Sequence, residues 1–246
     1  MATIAIGDVH GNRAALDDLL DRLVDEVEAA DTVVFLGDYI DRGPDSKGCI
    51  DRILRFRAES PANVVTLIGN HEDWLLRTLS DPRRHSWLTV MEGLSTIASY
   101  STEAAEIIGQ AAEAAGRRLV LDPVALPYDV FFDAMPREHL AFFRELALFH
   151  RTVDAVCTHG GLDPNAGAPE TQSRDPLIWG TPAFPTGYAG PGLVLYGHWN
   201  NSQLDEHGWP RPAIAAASIG IDTISHGVLT AIRAPDRRVF QSRRFA

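Results

Sequence analysis

Lysine, cysteine and long apolar runs are scarce in this 246-residue sequence. Lys47 is the only lysine, so nearly all positive charge is guanidinium. Two cysteines, Cys49 and Cys157, cannot make a disulfide framework or a thiolate zinc cage, and unpaired cysteines fit a reducing compartment. No run approaches the roughly 20 apolar residues needed to span a bilayer. The first strand is expected from Thr3, which leaves no room for the charged and apolar regions of a signal peptide. A cytoplasmic protein without a membrane partner is the expectation. Basic residues are outnumbered, and the net charge of −11 argues against broad nucleic-acid binding. An anionic substrate is still compatible with that charge, because bound metal ions reverse the local sign. Hydrophobic content of 45% and charged content of 22% are those of an ordinary globular chain, long enough for one large α/β domain.

Three acid-and-histidine clusters each follow a short apolar run rich in β-branched residues. Gly7-Asp8-Val9-His10-Gly11 follows Thr3–Ile6, and Gly37-Asp38-Tyr39-Ile40-Asp41-Arg42-Gly43 follows Thr32–Leu36. Gly69-Asn70-His71-Glu72 follows Asn63–Ile68. Each cluster precedes a helical pattern, so the units read as strand–loop–helix. Donors at the carboxyl ends of successive strands converge on one crevice of an α/β sheet, and Asp, His and Asn donors suit divalent transition metals.

Apolar spacing predicts a helix over Asn12–Ala30 with Asn12 as N-cap, and another over Ser46–Ala58. The start is therefore β-α-β-α-β with parallel strands. About Leu75–His150 reads as a helical insertion within a single domain spanning residues 1–246, with one helix starting near Pro136. Further strands are expected at Val153–Thr158, Leu193–Tyr196, Ala213–Ile219, Val228–Ile232 and Val239–Gln241. The Pro/Gly-rich stretch Asp163–Gly192 reads as a long loop that shapes the site.

With His159-Gly160-Gly161 and Gly197-His198 added, five motifs stand in order. Together they resemble the phosphoprotein-phosphatase branch of the calcineurin-like metallophosphoesterases, over residue 7 to about 233. The resemblance implies a four-layer sandwich of two mixed β-sheets flanked by α-helices. It implies two divalent metals: Asp8 and His10 bind the first, Asp38 bridges, and Asn70, His159 and His198 complete the second. Mn²⁺ is the favoured ion, with Fe, Zn, Co or Ni accepted by the same donors. Two such ions activate water for in-line displacement without a phosphoenzyme. By the same resemblance His71 protonates the leaving group, Asp41 holds its other ring nitrogen, and Arg42 clamps phosphate oxygens. Glu72 reads as structural, capping the following helix. His85, His139, His150 and His207 read as surface or packing residues, and Cys157 as core.

Two departures from the pattern stand out. Gly197-His198-Trp199-Asn200 carries Asn where general members of the superfamily have a second metal-binding His, which favours the phosphatase branch. After Trp179 the expected phosphate-binding arginine is missing, and Arg174 is the nearby substitute. His226, in a turn that faces the cleft in related enzymes, is a second substrate-contact candidate. Trp87 and Trp179 are candidates for base stacking, against core packing. The leading expectation is a phosphatase of phosphomonoesters, with phosphoserine or phosphothreonine in proteins as formal substrate, acting as a monomer. Symmetrical hydrolysis of dinucleoside tetraphosphates is the alternative, and a non-catalytic metal-binding module is a distant third.

Overall fold

The computed structural model describes residues 1–185 and 188–245. Thr186 and Gly187, within the loop expected over Asp163–Gly192, lie outside the described residues, as does Ala246. Among the described residues, twelve strands run in chain order: β1 (Thr3–Ile6), β2 (Thr32–Phe35), β3 (Asn63–Thr66), β4 (Phe149–Arg151), β5 (Ala155–Thr158), β6 (Leu193–Tyr196), β7 (Gln203–Leu204), β8 (Pro210–Arg211), β9 (Ala213–Ile214), β10 (Ser218–Gly220), β11 (Thr230–Ala234) and β12 (Arg238–Gln241). The helices are α1 (Arg13–Leu23), α2 (Ser46–Glu59), α3 (Asn70–Ser80), α4 (Ser86–Thr89), α5 (Gly93–Tyr100), α6 (Thr102–Ala115), α7 (Arg118–Leu121), α8 (Asp129–Phe132), α9 (Arg137–Glu145) and α10 (Arg174–Trp179).

Two five-stranded mixed sheets form, in orders β12-β11-β1-β2-β3 and β4-β5-β6-β10-β9. Strands β1, β2 and β3 are parallel, as are β5, β6 and β10. Period-two alternation sorts their side chains between layers. Ala5, Val34 and Ile232 of the first sheet meet Cys157, Leu195 and Ile219 of the second in an apolar seam. Ile4, Ile6, Val33 and Phe35 point the other way, into the helices. Val194 and Tyr196 face outward from the second sheet and are covered by Leu177 of α10 and by Phe184. This is the expected α/β sandwich with helices flanking two mixed sheets.

Local chemistry sets the helix ends. Asn12 Oδ1 accepts from Ala15 N at 3.0 Å, and Asp45 Oδ1 from Gly48 N at 2.8 Å, which caps α1 and α2. The first helix stops at Leu23 rather than reaching Ala30. Asp31 accepts from Ala2 N at 2.6 Å and Glu28 N at 3.0 Å, and this pulls the chain into β2 before another turn can form. The single strand expected over Ala213–Ile219 is a hairpin, closed by Ala215 N donating to Ser218 O at 2.9 Å. Its tip is Ala215-Ala216-Ala217, and alanine pairs weakly in sheets.

Between Asn70 and Glu145 the described chain is helical, and strand β4 closes the segment. It packs on the first sheet. Phe142 of α9 lies edge-on to Tyr39 with centroids 5.4 Å apart. The Tyr39 hydroxyl donates to Leu67 O at 2.6 Å, at the end of β3. His139 is buried rather than on the surface, between the Tyr100 hydroxyl at 2.7 Å and Asp51 Oδ1 at 3.0 Å. No helix among the described residues is long and apolar enough to cross a membrane.

We propose that helices and sheets unfold as one unit. Phe142→Ala then lowers global stability by about 3–5 kcal/mol in a single denaturant transition. Two separated transitions in urea would show the helical segment to be its own domain.

Candidate metal centre

Six parallel strands, three from each sheet, end at one place. From β1 come Asp8 and His10, from β2 Asp38, Asp41 and Arg42, and from β3 Asn70 and His71. The second sheet adds His159 after β5, His198 after β6 and Asp222 after β10. Of the eight non-glycine residues with positive φ among those described, His10, Asp38, Asp41, Arg42, His198 and Asn200 lie in these loops. Such conformations cost energy and persist only where the surroundings over-determine them. Two glycines are needed for close approach: a Cβ on Gly69 would sit 2.1 Å from Asp38 Oδ1, and one on Gly197 2.0 Å from Asp8 Oδ1.

Glu72 holds the geometry. Its buried carboxylate accepts from Asp38 N at 3.0 Å, Tyr39 N at 2.8 Å and Gly69 N at 3.0 Å. It caps α3, as expected, and also ties the β2 loop to the β3 loop. Burial and the neighbouring Asp38 charge push its pKa up to about 7.

The donor set fits divalent cations. His10 Nδ1 donates to Ile40 O at 3.1 Å and His159 Nδ1 to Leu36 O at 3.0 Å, so each Nε2 lone pair faces the crevice. His159 Nε2 lies 2.9 Å from Asn70 Oδ1 and 3.4 Å from Asp38 Oδ2, and His198 Nδ1 is also 2.9 Å from Asn70 Oδ1. An imidazole that donates from one nitrogen can face oxygens with the other only if it is protonated or if a cation stands between them. His10, Asp38 and His71 form one group within metal-binding distance, and Asp38, His159 and His198 a second, with Asp38 shared.

The electrostatics say the same. Burial depresses His159, but the charges of Asp38, Asp8 and Glu72 outweigh it and carry its pKa up to about 10. Burial, with the His71 and Arg42 charges beside it, drives His10 down to about 3, and burial with His159 nearby takes His198 down to about 4. Asp8 is raised by burial and then by Asp222 and Asp38. Buried carboxylates that repel one another, beside the neutral imidazoles of His10 and His198 and a His159 pulled toward its charged form, are a site short of positive charge.

The remaining expected residues fall as follows. Asp8 sits beside the two groups, with its carboxylate accepting from His198 N at 3.0 and 3.2 Å. His71 Nδ1 is 2.7 Å from Asp41 Oδ2, and its buried Nε2 has no hydrogen-bond partner. Burial lowers the His71 pKa, but the Asp38 and Asp41 charges more than reverse that and leave it raised. Arg42 Nη1 donates to His10 Nε2 at 3.1 Å and lines a cavity of about 290 Å³ with Asn12 and Ser225.

Arg174 is turned to Asp73, which it meets at 2.8 and 3.2 Å, so its charge is already paired. His226 closes a 3-10 turn whose Ile224 and Ser225 line the Arg42 cavity, while His226 is not among the lining residues. Asn200 stands where a second histidine would bind metal. Its N donates to Asp222 Oδ2 at 3.0 Å and its Oδ1 accepts from Ser225 Oγ at 2.6 Å, so it clips two loops together.

Three contributors were missed from the sequence. Asp222, buried with an unpartnered Oδ1, carries the same strand-end acid signal as Asp8 and Asp38. Trp87 Nε1 donates to both Asp41 oxygens at 3.1 and 3.0 Å, and Thr96 Oγ1 to Asp41 Oδ1 at 2.5 Å. Trp87 is fully buried, which removes it from base stacking. No local pattern marks it as a partner of Asp41.

Adding Mn²⁺ to chelator-treated protein is expected to raise the thermal midpoint, by the equivalent of about 2.7 kcal/mol at a hundredfold excess over Kd. In Asp38→Asn the rise should largely vanish in calorimetry. An unchanged midpoint in the unsubstituted protein would refute cation binding here.

The family profile described as calcineurin-like phosphoesterase matches residues 1–202. A symmetrical bis(5'-nucleosyl)-tetraphosphatase of Nitrosospira multiformis is 27% identical, over 98% of this chain and 96% of that protein. The crystal structure of a candidate diadenosine tetraphosphatase shares the fold with a TM-score of 0.61 at 20% identity, over 98% of this chain and 92% of its own. A cold-active protein-tyrosine phosphatase from a psychrophilic Shewanella does so with 0.55 at 15%, over 98% and 80%. With ordered strand-end motifs, a shared buried aspartate and a profile match over most of its length, this chain belongs to the calcineurin-like phosphoesterase family.

Proposed function

We propose that this phosphoesterase hydrolyses dinucleoside tetraphosphates symmetrically, releasing two nucleoside diphosphates. The observation that carries this is the two-way, nearly full-length match to a protein of that name. The serine/threonine phosphatase reading has less support, since its structural neighbours are alike in fold alone. A strongly anionic polyphosphate also suits a centre whose buried carboxylates demand cations.

In this reading Asp8, His10, Asp38, Asn70, His159 and His198 hold two divalent ions, Mn²⁺ being the proposed species. Bound there, the ions supply the Lewis-acid charge that activates water and neutralises phosphoryl oxygens. Arg42 holds an oxygen of the attacked phosphoryl group through its planar fork. Water oxygen bonds to an inner phosphorus, the bridging P–O bond on the far side breaks, and the leaving diphosphate departs with the electron pair. His71 donates the Nε2 proton to that leaving oxygen. Asp41 keeps the ring in the matching tautomer and stabilises its protonated form. The fixed donors of Trp87 and Thr96 keep the Asp41 carboxylate from turning away.

The leaving group separates the two substrate readings. A diphosphate leaves as a weak base and needs little protonation, whereas the serine alkoxide of a phosphoprotein needs much. His71→Ala should therefore cut kcat for a dinucleoside tetraphosphate toward the lower end of a ~10²–10⁴-fold range, and for an alkyl phosphomonoester toward the upper end. The deciding experiment compares kcat/KM of the Mn²⁺-loaded enzyme for a dinucleoside tetraphosphate, a phosphopeptide, mononucleotides and an aryl phosphate, with chromatography of the products. Nucleoside diphosphate as sole nucleotide product and a dominant dinucleotide preference are expected. A phosphopeptide preference, or unequal nucleotide products, would sink the proposal.

A further inference from the structure

The flanks of the metal centre are unlike. On the His10 side the cavity beside Arg42 is lined by His10, Asn12, Arg42, Gly43, Pro44, Ile224 and Ser225, with no Phe, Tyr or Trp. On the Asn70 side a cavity of about 440 Å³ is lined by Trp74, Arg77, Val90, Met91 and Trp179, among others. It adjoins the centre through two of these residues. Met91 Sδ lies 3.7 Å from Asn70 Nδ2, and the Trp179 ring centroid is 6.5 Å from that of His198.

The aromatic wall is fixed by one buried carboxylate. Asp73 accepts from Trp179 Nε1 at 3.2 Å, from Arg77 at 2.8 Å and from Arg174 at 2.8 Å. The pinned Arg77 guanidinium lies over the Trp74 ring at 5.1 Å, and Trp74 and Trp179 meet edge-on at 6.1 Å. Val90, at the rim, is 66% exposed. An apolar cavity walled by two half-buried indoles and a stacked guanidinium has the chemistry of a nucleobase platform. Arg77 and Arg174 are matched by Asp73 and Asp175, so the wall carries no free cation for a second polyphosphate, whereas a neutral base suits it.

We propose that this cavity binds one nucleobase of the substrate, with Trp74 as the specificity-determining residue, and that the other nucleoside finds no stacking side chain among the described residues lining the cavity beside Arg42. This rests on the dinucleotide reading above. A ribose and a diphosphate then link a base against Trp74 to the scissile bond at His71. Recognition is one-sided: a single nucleoside end is sufficient for binding, whatever the far end carries.

Trp74 makes no hydrogen bond to the centre, so Trp74→Ala tests the subsite, with Trp74→Phe as the conservative control and circular dichroism to confirm folding. Trp74→Ala should raise KM for a dinucleoside tetraphosphate about tenfold or more, and lower its kcat/KM relative to that of an aryl phosphate by a similar factor. Trp74→Phe should recover most of both. Adenosine diphosphate should quench tryptophan fluorescence in the unsubstituted protein and do so far less in Trp74→Ala. An unchanged selectivity ratio with unchanged quenching overturns the subsite. An equal loss toward a phosphopeptide overturns it as well, by making the cavity a general apolar groove. If the enzyme leaves dinucleotides intact while adenosine diphosphate is still sensed through Trp74, the substrate reading fails and the subsite stands.

Discussion

Glu72 accepts from three backbone N–H groups that belong to two different strand ends, Asp38 and Tyr39 after β2 and Gly69 at the cap of α3. It is fully buried, and a buried carboxylate is tolerated only when its oxygens are met by donors. The arrangement works in both directions. The donors solvate the charge, and the charge helps to hold Asp38 in a left-handed conformation that costs a non-glycine residue energy. From that conformation the Asp38 carboxylate reaches histidines of the second sheet. The clip thereby joins the two loops that carry Asp38 and Asn70.

The helices between Asn70 and Glu145 extend the same principle outward. Trp87 and Thr96 sit on short helices distant in sequence from Asp41, and both donate to its carboxylate. Asp41 in turn meets His71 Nδ1. His71, the proposed proton donor, is thus oriented through Asp41 by side chains from the helical segment, which ties that segment to the geometry of the centre. Its packing through Phe142 on Tyr39 and its hydrogen bonding through Trp87 serve one geometry.

Much of this was legible in the sequence, for physical reasons. Short β-branched runs that end in Gly-Asp or Gly-Asn announce strand ends, and ligand-bearing strand ends in a parallel sheet converge. Asn12 and Asp45 mark helix starts by their own side-chain chemistry. Other features were hidden because long-range contacts decide them. Whether α1 continues past Leu23 depends on Asp31, which competes for the backbone. Whether Arg174 faces phosphate depends on Asp73, a carboxylate a hundred residues earlier in the chain that carries no motif of its own. Asp222 was the most readable of the omissions, since it stands at a strand end like its partners.

Asp38 belongs to the first sheet, and His159 and His198 to the second, with the apolar seam of Ala5, Val34, Cys157, Leu195 and Ile219 directly beneath. A cation shared among those side chains would rivet the two halves of the sandwich together. Its loss would leave that end of the sandwich held by the apolar seam alone, and local opening there would expose the stretches that proteases and aggregation both exploit. The lifetime of this chain would then be set by metal supply as well as by its own sequence, and metal-starved protein would be cleared, not stored idle.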